Sequence, residues 1–346
     1  MVKNNEKRGR MIADVVVGLQ YGDEGKGKVT HHLCKTGGYT HVLRFNGGCN
    51  AGHTIFHEGK KFVTHHIPAG VFFGIKSIIG NGCVLDPEQF FKEIKEIEDG
   101  GINTNGLIYI AENCHVITNS HKDEDGKDNK IGTTKRGNGP AYRDKYDRNG
   151  IMARDVPELK PYLINLHDEF WNHGEVKILC EGAQGFGLDI DWGDYPYVTS
   201  SHCLTSSVML NAIPHYAIRD VWGIAKAYET YVGAKKFQPL NNNIFEQIQK
   251  VGQEYGATTG RVRQCNWIDL PFLKRSVQLN GVNKIVFNKM DILREVDHWS
   301  LKNNNGKNNF YEYFSIEEDF VDRIEKYLSN SVKDIEFYFS DNPYKI

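Results

Sequence analysis

The chain has 346 residues, of which 40% are hydrophobic and 25% charged, and its formal net charge is −2. This is ordinary globular composition, which excludes global disorder and a small disulfide-stapled module. A near-neutral balance gives no basic field for nucleic acid or an acidic membrane surface. No apolar run approaches the roughly 18 residues of a membrane-spanning helix. The opening MVKNNEKRGRMIADVVVG is a polar-basic leader without a signal-peptide core. The seven cysteines (34, 49, 83, 114, 180, 203 and 265) are scattered and form no CxxC pair, so they read as reduced thiols in a cytosol. The expected location is the cytoplasm, or a host's cytoplasm if the source is viral.

In chain order, β-branched runs at Ala13–Val17, Thr40–Phe45, Leu107–Ile110, Val176–Cys180, Asp220–Ala225 and Lys284–Phe287 read as strands. Helix-like patterns lie at 86–99, 157–172, 203–217, 244–254, 268–280 and 316–329. Pro87 and Gly100–Gly101 punctuate the first of them. This alternation predicts an α/β fold with a largely parallel central sheet flanked by helices, whose ligands sit at the carboxyl ends of the strands. One domain over 1–346 is expected, with 1–10 a loose leader. The Asn-rich stretches 241–243 and 303–309, and the charge run His121–Lys130, read as surface loops.

The first strand runs into GLQYGDEGKGK, residues 18–28. From Gly22 the spacing is GxxxxGK, with Val29 where a P-loop has Ser or Thr. Glycines such as Gly22, Gly25 and Gly27 let amides approach phosphate oxygens, and a following helix adds its positive end. Lys26 and Lys28 add charge, and Asp23 offers a carboxylate as base or Mg²⁺ ligand in place of the missing hydroxyl. A guanine-type signature closes the strand KIVF as Asn288-Lys289-Met290-Asp291. An Asp there can accept from guanine N1–H and N2–H, which adenine cannot offer, while the Lys stem covers the base.

Further polar loops repeat the theme. RFNGGCNAGHT (44–54) sets His53 among glycines, suited to act as a proton donor near phosphate. GTTKRGNGPAY (132–142) combines hydroxyls and cations, and EGAQG (181–185) ends a strand on a neutral amide. ATTGRVR (257–263) carries two hydroxyls and two guanidiniums, which read carboxylates or phosphates. Five such loops imply a site that holds several anions at once. From chemistry alone this is a GTP-using enzyme with a phosphorylated or carboxylated co-substrate.

Together with GTTKRGNGPAYRDKYDRNG (132–150), EGAQGFGLDIDWGDYPYVTSS (181–201), YGATTGRVRQCNWID (255–269) and NKMD (288–291), these segments resemble the adenylosuccinate synthetase family in order and over most of the chain. The length is similar to compact archaeal-type and phage members. The resemblance implies a P-loop-like nucleotide-binding fold with long active-site loops, and a cytoplasmic homodimer that uses GTP and Mg²⁺. The implied ligase reaction joins L-aspartate to IMP, giving adenylosuccinate, GDP and phosphate.

Carried over residue by residue, the resemblance makes Asp23, His53 and Gln184 catalytic. It assigns GTP and its phosphates to Gly22, Gly25, Lys26, Gly27, Lys28, Thr54, Arg263, Asn288, Lys289 and Asp291. The purine nucleotide falls to Asn50, Thr133, Thr134, Arg148, Gln184, Thr199 and Arg261, with Arg148 reaching the neighbouring subunit's nucleotide. Thr258, Thr259, Arg261 and Arg263 would hold aspartate, and Asp23 with the Gly52 carbonyl would hold Mg²⁺. The chain departs from the family pattern at Trp192 and Asp194, at Lys235–Pro239, at Gln264 and Asn266, and in its C-terminal Phe339–Ile346. One alternative is a phage-type relative that takes dGMP. Such relatives tend to replace the loop Asp by a small residue, and Asp23 is present. The other alternative is a GTP-binding switch protein, and Val29 denies it the P-loop hydroxyl for Mg²⁺. No membrane and no direct nucleic-acid partner is expected.

Overall fold

The computed structural model describes residues 11–127, 131–172, 174–240, 243–256, 260–304, 306, 308–342 and 346. Its frame is a nine-stranded sheet, and every strand pair in it is parallel. In chain order its strands are β1 (Met11–Gly18), β2 (His41–Arg44), β3 (Lys76–Ile79), β4 (Ile108–Ala111), β5 (Leu163–Ile164), β6 (Val176–Glu181), β7 (Ile218–Lys226), β8 (Lys284–Asn288) and β9 (Glu336–Phe339). Across the sheet they run β9-β8-β7-β1-β6-β2-β3-β4-β5. From β1 the chain first builds outward through β2 to β5. It then returns to insert β6 beside β1, and afterwards builds the other way through β7, β8 and β9. The order thus reverses around β1, and in open parallel sheets a crevice opens at such a point.

The inner strands are buried on both faces, which is why they read as near-continuous apolar runs. Helices cover those faces. Three of them matter for position: α1 (Lys26–Thr36) follows β1, α2 (Pro87–Asp99) lies between β3 and β4 in the chain, and α3 (Leu270–Asn280) precedes β8. The caps of α2 and α3 explain their starts: Asp86 accepts from Glu88 N at 3.2 Å and Asp269 from Phe272 N at 3.1 Å, each with Pro in the first turn. α1 differs. Its N-cap is Gly25 at φ 94 with no side-chain cap, so its first amides stay available to an anion. Among the described residues no helix is long and apolar enough to cross a membrane.

Four expectations for local structure change. The pattern at 157–172 breaks into a 3-10 segment Pro157–Tyr162, the short strand β5 and a helix Leu166–Trp171. Pro161 cannot donate to an α-helical ladder and disfavours α geometry at the residue before it. The stretch 203–217 forms 3-10 turns at Thr205–Asn211 and His215–Ala217, with Pro214 between them. The charge run begins as a helix, Asn119–Gly126, because Thr118 and His121 form a capping box; residues 128–130 lie outside the described part. Strands Trp299–Asn304 and Asn309–Phe314 form an antiparallel pair where a loop was read, and Asn243 starts a helix. Residues 241, 242, 305 and 307 are outside the described residues.

Candidate active site

The carboxyl ends of β1, β2, β6, β7 and β8 surround one cavity of 1990 Å³. A single drug-sized ligand takes roughly 300–1,000 Å³, so this space admits more than one. The first glycine loop runs from the end of β1 into α1 and is organised from inside by Glu24, which is fully buried. Glu24 Oε1 accepts from Gly22 N at 2.8 Å and Gln20 N at 3.2 Å, and Oε2 takes Lys26 Nζ at 2.6 Å. Asn288, at the end of β8, donates from Nδ2 to the Glu24 carbonyl at 2.7 Å. A side chain on Gly25 would sit 2.8 Å from that amide nitrogen. Gly27 is also closely approached: an added Cβ would lie 3.1 Å from His53 Cβ and 3.3 Å from the Thr54 carbonyl, so α1 and the His53 strand pack tightly. Gly22, Asp23, Lys26, Lys28 and Thr54 all line the cavity.

The parallel register places Arg44 beside Glu181 on adjacent strands. Arg44 Nη2 donates to Glu181 Oε1 at 2.6 Å, and His53 Nδ1 makes a short contact with the same oxygen. Burial and then the Arg44 charge push the His53 pKa down to about 4, so the ring is neutral at neutral pH. Burial opposes the charge on Glu181, but Arg44 and His53 outweigh it and hold its carboxyl down at about 2. With Nδ1–H given to Glu181, the other ring nitrogen is left for the cavity that His53 lines.

Gln184 sits in the left-handed region at φ 58 just past β6. Its Nε2 donates to Asn50 Oδ1 at 3.1 Å, and Asn50 Nδ2 reaches Thr199 Oγ1 at 3.4 Å. The structure therefore brings these three expected nucleotide contacts into one line. Gln184 Oε1 and Asn288 Oδ1 are buried with no hydrogen-bond partner among the described residues, as is the side chain of Asn138, and all three residues line the cavity. Buried polar atoms of this kind are normally paired, and here they face space that a ligand can fill. Thr133 and Thr134 line the same space, and Arg261 donates to the neighbouring Gly132 carbonyl at 3.1 and 3.2 Å.

Arg263 bridges two acids: Nε lies 2.8 Å from Asp23 Oδ2, and Nη1 lies 2.5 Å from Glu254 Oε2. Glu254, fully buried, also takes Lys226 Nζ at 3.2 Å and the Tyr228 hydroxyl at 2.6 Å. Burial opposes its charge, but Lys226 and Arg263 prevail and hold it down at about 2. At the far end, Lys28 donates to Ser340 Oγ at 2.7 Å and to the Asn342 carbonyl at 2.9 Å. Burial lowers its pKa to about 8, with Asp291 pulling upward and Lys289 downward. Lys289 and Asp291 line this end of the cavity, and Lys289 Nζ donates to the Gly252 carbonyl at 3.0 Å.

Comparison with known proteins fits this arrangement. The adenylosuccinate synthetase family model matches residues 15–168 and 156–326. An adenylosuccinate synthetase of Halothermothrix orenii is 40% identical, with 81% of this chain and 77% of the relative covered. One from Bacteroides fragilis is also 40% identical, over 82% of this chain and 78% of that protein. The chain belongs to the adenylosuccinate synthetase family.

A solved adenylosuccinate synthetase of Plasmodium falciparum superposes with a TM-score of 0.82 at 27% identity, covering 97% of this chain and 98% of that one. A succinoaminodeoxyadenylate synthetase of cyanophage S-2L, bound to dGMP and dATP, superposes with a TM-score of 0.74 at 20% identity over 96% and 93% of the two chains, and shares the fold. The family is one of nucleotide-using ligases, and its chemistry calls for Mg²⁺. No cluster of three or more His, Cys, Asp or Glu among the described residues is set to hold a metal. Mg²⁺ does not need one, because it usually takes one or two carboxylates and completes its shell with substrate phosphates and water. Asp23 and Gly52 both line the cavity and fit that role.

One expected residue stands apart, and two others fall outside the described part. Arg148 is exposed at the C-terminal end of the helix Asn138–Asp147 and does not line the cavity. Thr258 and Thr259 lie outside the described residues. Sequence reasoning gave no role to Glu24, Arg44, Glu181, Lys226 or Glu254. Glu24 acts within its own loop, and the other four through partners brought to them by the fold.

Proposed function

We propose that this chain joins L-aspartate to C6 of IMP at the expense of GTP. The observation that supports this reading most is the convergence of Asp23, His53, Arg263 and Asp291 on one cavity. That cavity then holds a carboxylate base, an imidazole, an anion clamp and a guanine acceptor together. GTP enters with its base toward Lys289 and Asp291 and its phosphates over the amides and lysines of the Gly22–Lys28 loop. Asp23 takes the N1 proton of the purine, and O6 becomes the nucleophile. O6 attacks the γ-phosphorus, the bond to the β-phosphate oxygen breaks, and GDP leaves. His53, neutral before nucleotide binds, acquires a proton there and donates from its free nitrogen to the transferring group; Glu181 steadies the resulting imidazolium. The amine of aspartate, its carboxylates held by Thr258, Thr259, Arg261 and Arg263, then attacks C6. The C6–O6 bond breaks, phosphate departs, and the amine loses a proton. Asp23 and the Gly52 carbonyl would hold Mg²⁺, which would supply charge neutralisation at the phosphates. Phosphoryl transfer depends mainly on such positioning and electrostatics. Asn50, Thr133, Thr134, Gln184 and Thr199 hold the purine nucleotide. Arg148 completes the site of a second subunit in a homodimer.

The test is phosphate release with Mg²⁺, GTP and aspartate, supplying IMP in one reaction and dGMP in another. Turnover with IMP that stops when any one substrate is omitted supports the proposal. Turnover with dGMP alone overturns the choice of purine, and aspartate-independent GTP hydrolysis overturns ligation.

A further inference from the structure

Asp194, Lys235, Gln264 and Asn266, four of the positions singled out in the sequence, lie together in the fold. Asp194 and Lys235 form an ion pair, and the Tyr21 hydroxyl donates to the same Asp194 oxygen at 3.0 Å. The Lys235 ammonium also lies 5.1 Å from the Tyr21 ring centre and 5.4 Å from that of Phe237. Tyr21 is stacked on Phe272 at 5.1 Å and meets Phe237 edge-on at 4.9 Å. Gln264 binds the backbone behind the pair: Nε2 donates to the Lys235 carbonyl at 2.7 Å, and Oε1 accepts from Phe237 N at 2.8 Å. Asn266 adds a bond from Nδ2 to the Phe237 carbonyl at 3.0 Å. Gln264 and Asn266 thus hold the backbone of the Lys235–Phe237 segment, and Asp194 holds its ammonium. The burial of Tyr21 raises its pKa, and Glu229 and Asp194 raise it further, so the phenol remains a donor.

This knot ties together segments that wall the cavity. Tyr21 leads directly into Gly22 and Asp23. The Asp194 carbonyl accepts from Tyr197 N at 2.9 Å, at the head of the run Tyr197–Ser200 that lines the cavity and includes Thr199. Ala234, the neighbour of Lys235, donates from its amide to the Ile131 carbonyl at 3.4 Å, just before Thr133 and Thr134. Gln264 follows Arg263. Among the described residues, the contacts of the pair do not run to Asn288–Asp291 or to Ser340–Asn342, at the other end of the cavity.

We propose that the Asp194–Lys235 pair, joined by the Tyr21 phenol, is a positioning device that sets the purine-nucleotide end of the site. Neither Asp194 nor Lys235 lines the cavity. The pair fixes the spacing between the Asp23 loop, the Thr199 segment and the Thr133–Thr134 loop, and so decides how the purine ring sits against its base. The pair is partly shielded, at 36% and 25% side-chain exposure, and the two rings beneath Lys235 restrict its alternatives. The proposal rests on the reading of the reaction given above.

The test measures KM for IMP, aspartate and GTP, with kcat, in Lys235→Met, Asp194→Asn, Tyr21→Phe and the charge-swapped Asp194→Lys/Lys235→Asp double variant. Lys235→Met and Asp194→Asn are expected to raise KM for IMP about tenfold, as for loss of one partly shielded charge pair, while KM for GTP stays within about twofold. Lys235→Arg, measured alongside, keeps the charge and is expected to lose little; the charge swap is expected to restore most of the loss, and Tyr21→Phe to cause a smaller one. If Lys235→Met does not fold, Asp194→Asn carries the same comparison. Unchanged KM for IMP in the folded variants overturns the device. So does an equal rise in all three KM values, which marks a merely structural role. A wild-type protein that releases no phosphate with any purine nucleotide overturns the underlying reading instead.

Discussion

Arg263 Nε lies 2.8 Å from Asp23 Oδ2, so an arginine read as an anion clamp is joined to the carboxylate read as the base. The same arginine is anchored on its other side by Glu254, which Lys226 and Tyr228 hold in turn. Burial opposes the Arg263 charge, but Asp23 and Glu254 outweigh it and raise its pKa. In the proposed reaction an arriving carboxylate or phosphate would compete with Asp23 for one side of this guanidinium, while Glu254 keeps it in place.

Replacing Asp23 tests the base. Asp23→Asn keeps the shape and a hydrogen-bond acceptor for Arg263 but cannot take a proton. A positioned base contributes typically 10²–10⁴-fold, so kcat is expected to fall by at least about 100-fold while GTP binding measured by calorimetry persists. Near-normal kcat removes Asp23 from the role.

Replacing Arg263 tests the clamp. Arg263→Leu removes hydrogen bonds to charged groups, each contributing about 1.5–3 kcal/mol. KM for aspartate is expected to rise by roughly 10–100-fold, with a smaller effect on IMP. An unchanged aspartate KM excludes the residue from the clamp.

The His53–Glu181 pair makes a prediction about pH. The folded His53 pKa is about 4, below its ordinary 6.5, so the unfolded chain binds the extra proton first. The neutral ring's contribution to stability is present above pH 6.5 and is lost as pH falls toward 4. His53→Asn is therefore expected to flatten the decline of urea-unfolding stability across that window, relative to wild type. Parallel curves for the two proteins contradict the depressed pKa.

Gly25 tests the loop. At φ 94, and with Asn288 Nδ2 at 2.8 Å from an added Cβ, Gly25→Ala meets backbone strain and a clash together. The left-handed strain alone is about 1–2 kcal/mol. A lower urea midpoint and a raised KM for GTP are expected, and normal values for both show that the loop does not need its glycine.

Arg148 tests the assembly. It is exposed and away from its own cavity. Arg148→Ala is expected to weaken nucleotide binding, and mixing it with Asp23→Asn chains should restore part of the activity through hybrid dimers. The absence of any complementation contradicts a cross-subunit role.

Much of this site was legible in the sequence because its loops follow strands and carry distinctive polar residues. Gly22–Lys28, Arg44–Thr54, Gly132–Thr134 and Asn288–Asp291 were each visible as local patterns. The α/β alternation was visible for the same reason, since buried parallel strands are short apolar runs. The supporting carboxylates were not. Glu24 turns inward because Gly22 and Gly25 bend the chain around it, and Glu254 finds Lys226 only through the tertiary fold. The stretches 157–172 and 203–217 misled because apolar spacing says nothing about where Pro161 and Pro214 interrupt a helix. The departures at Asp194 and Lys235 could be seen one by one, but that they contact each other is a property of three dimensions.

The most direct measurement follows an oxygen atom. IMP carrying ¹⁸O at C6 is incubated with GTP, Mg²⁺, aspartate and the protein, and the released phosphate is analysed by mass. If O6 attacks the γ-phosphate and is later displaced by the aspartate amine, the label appears in the phosphate. Unlabelled phosphate formed alongside a C6-substituted product contradicts the account.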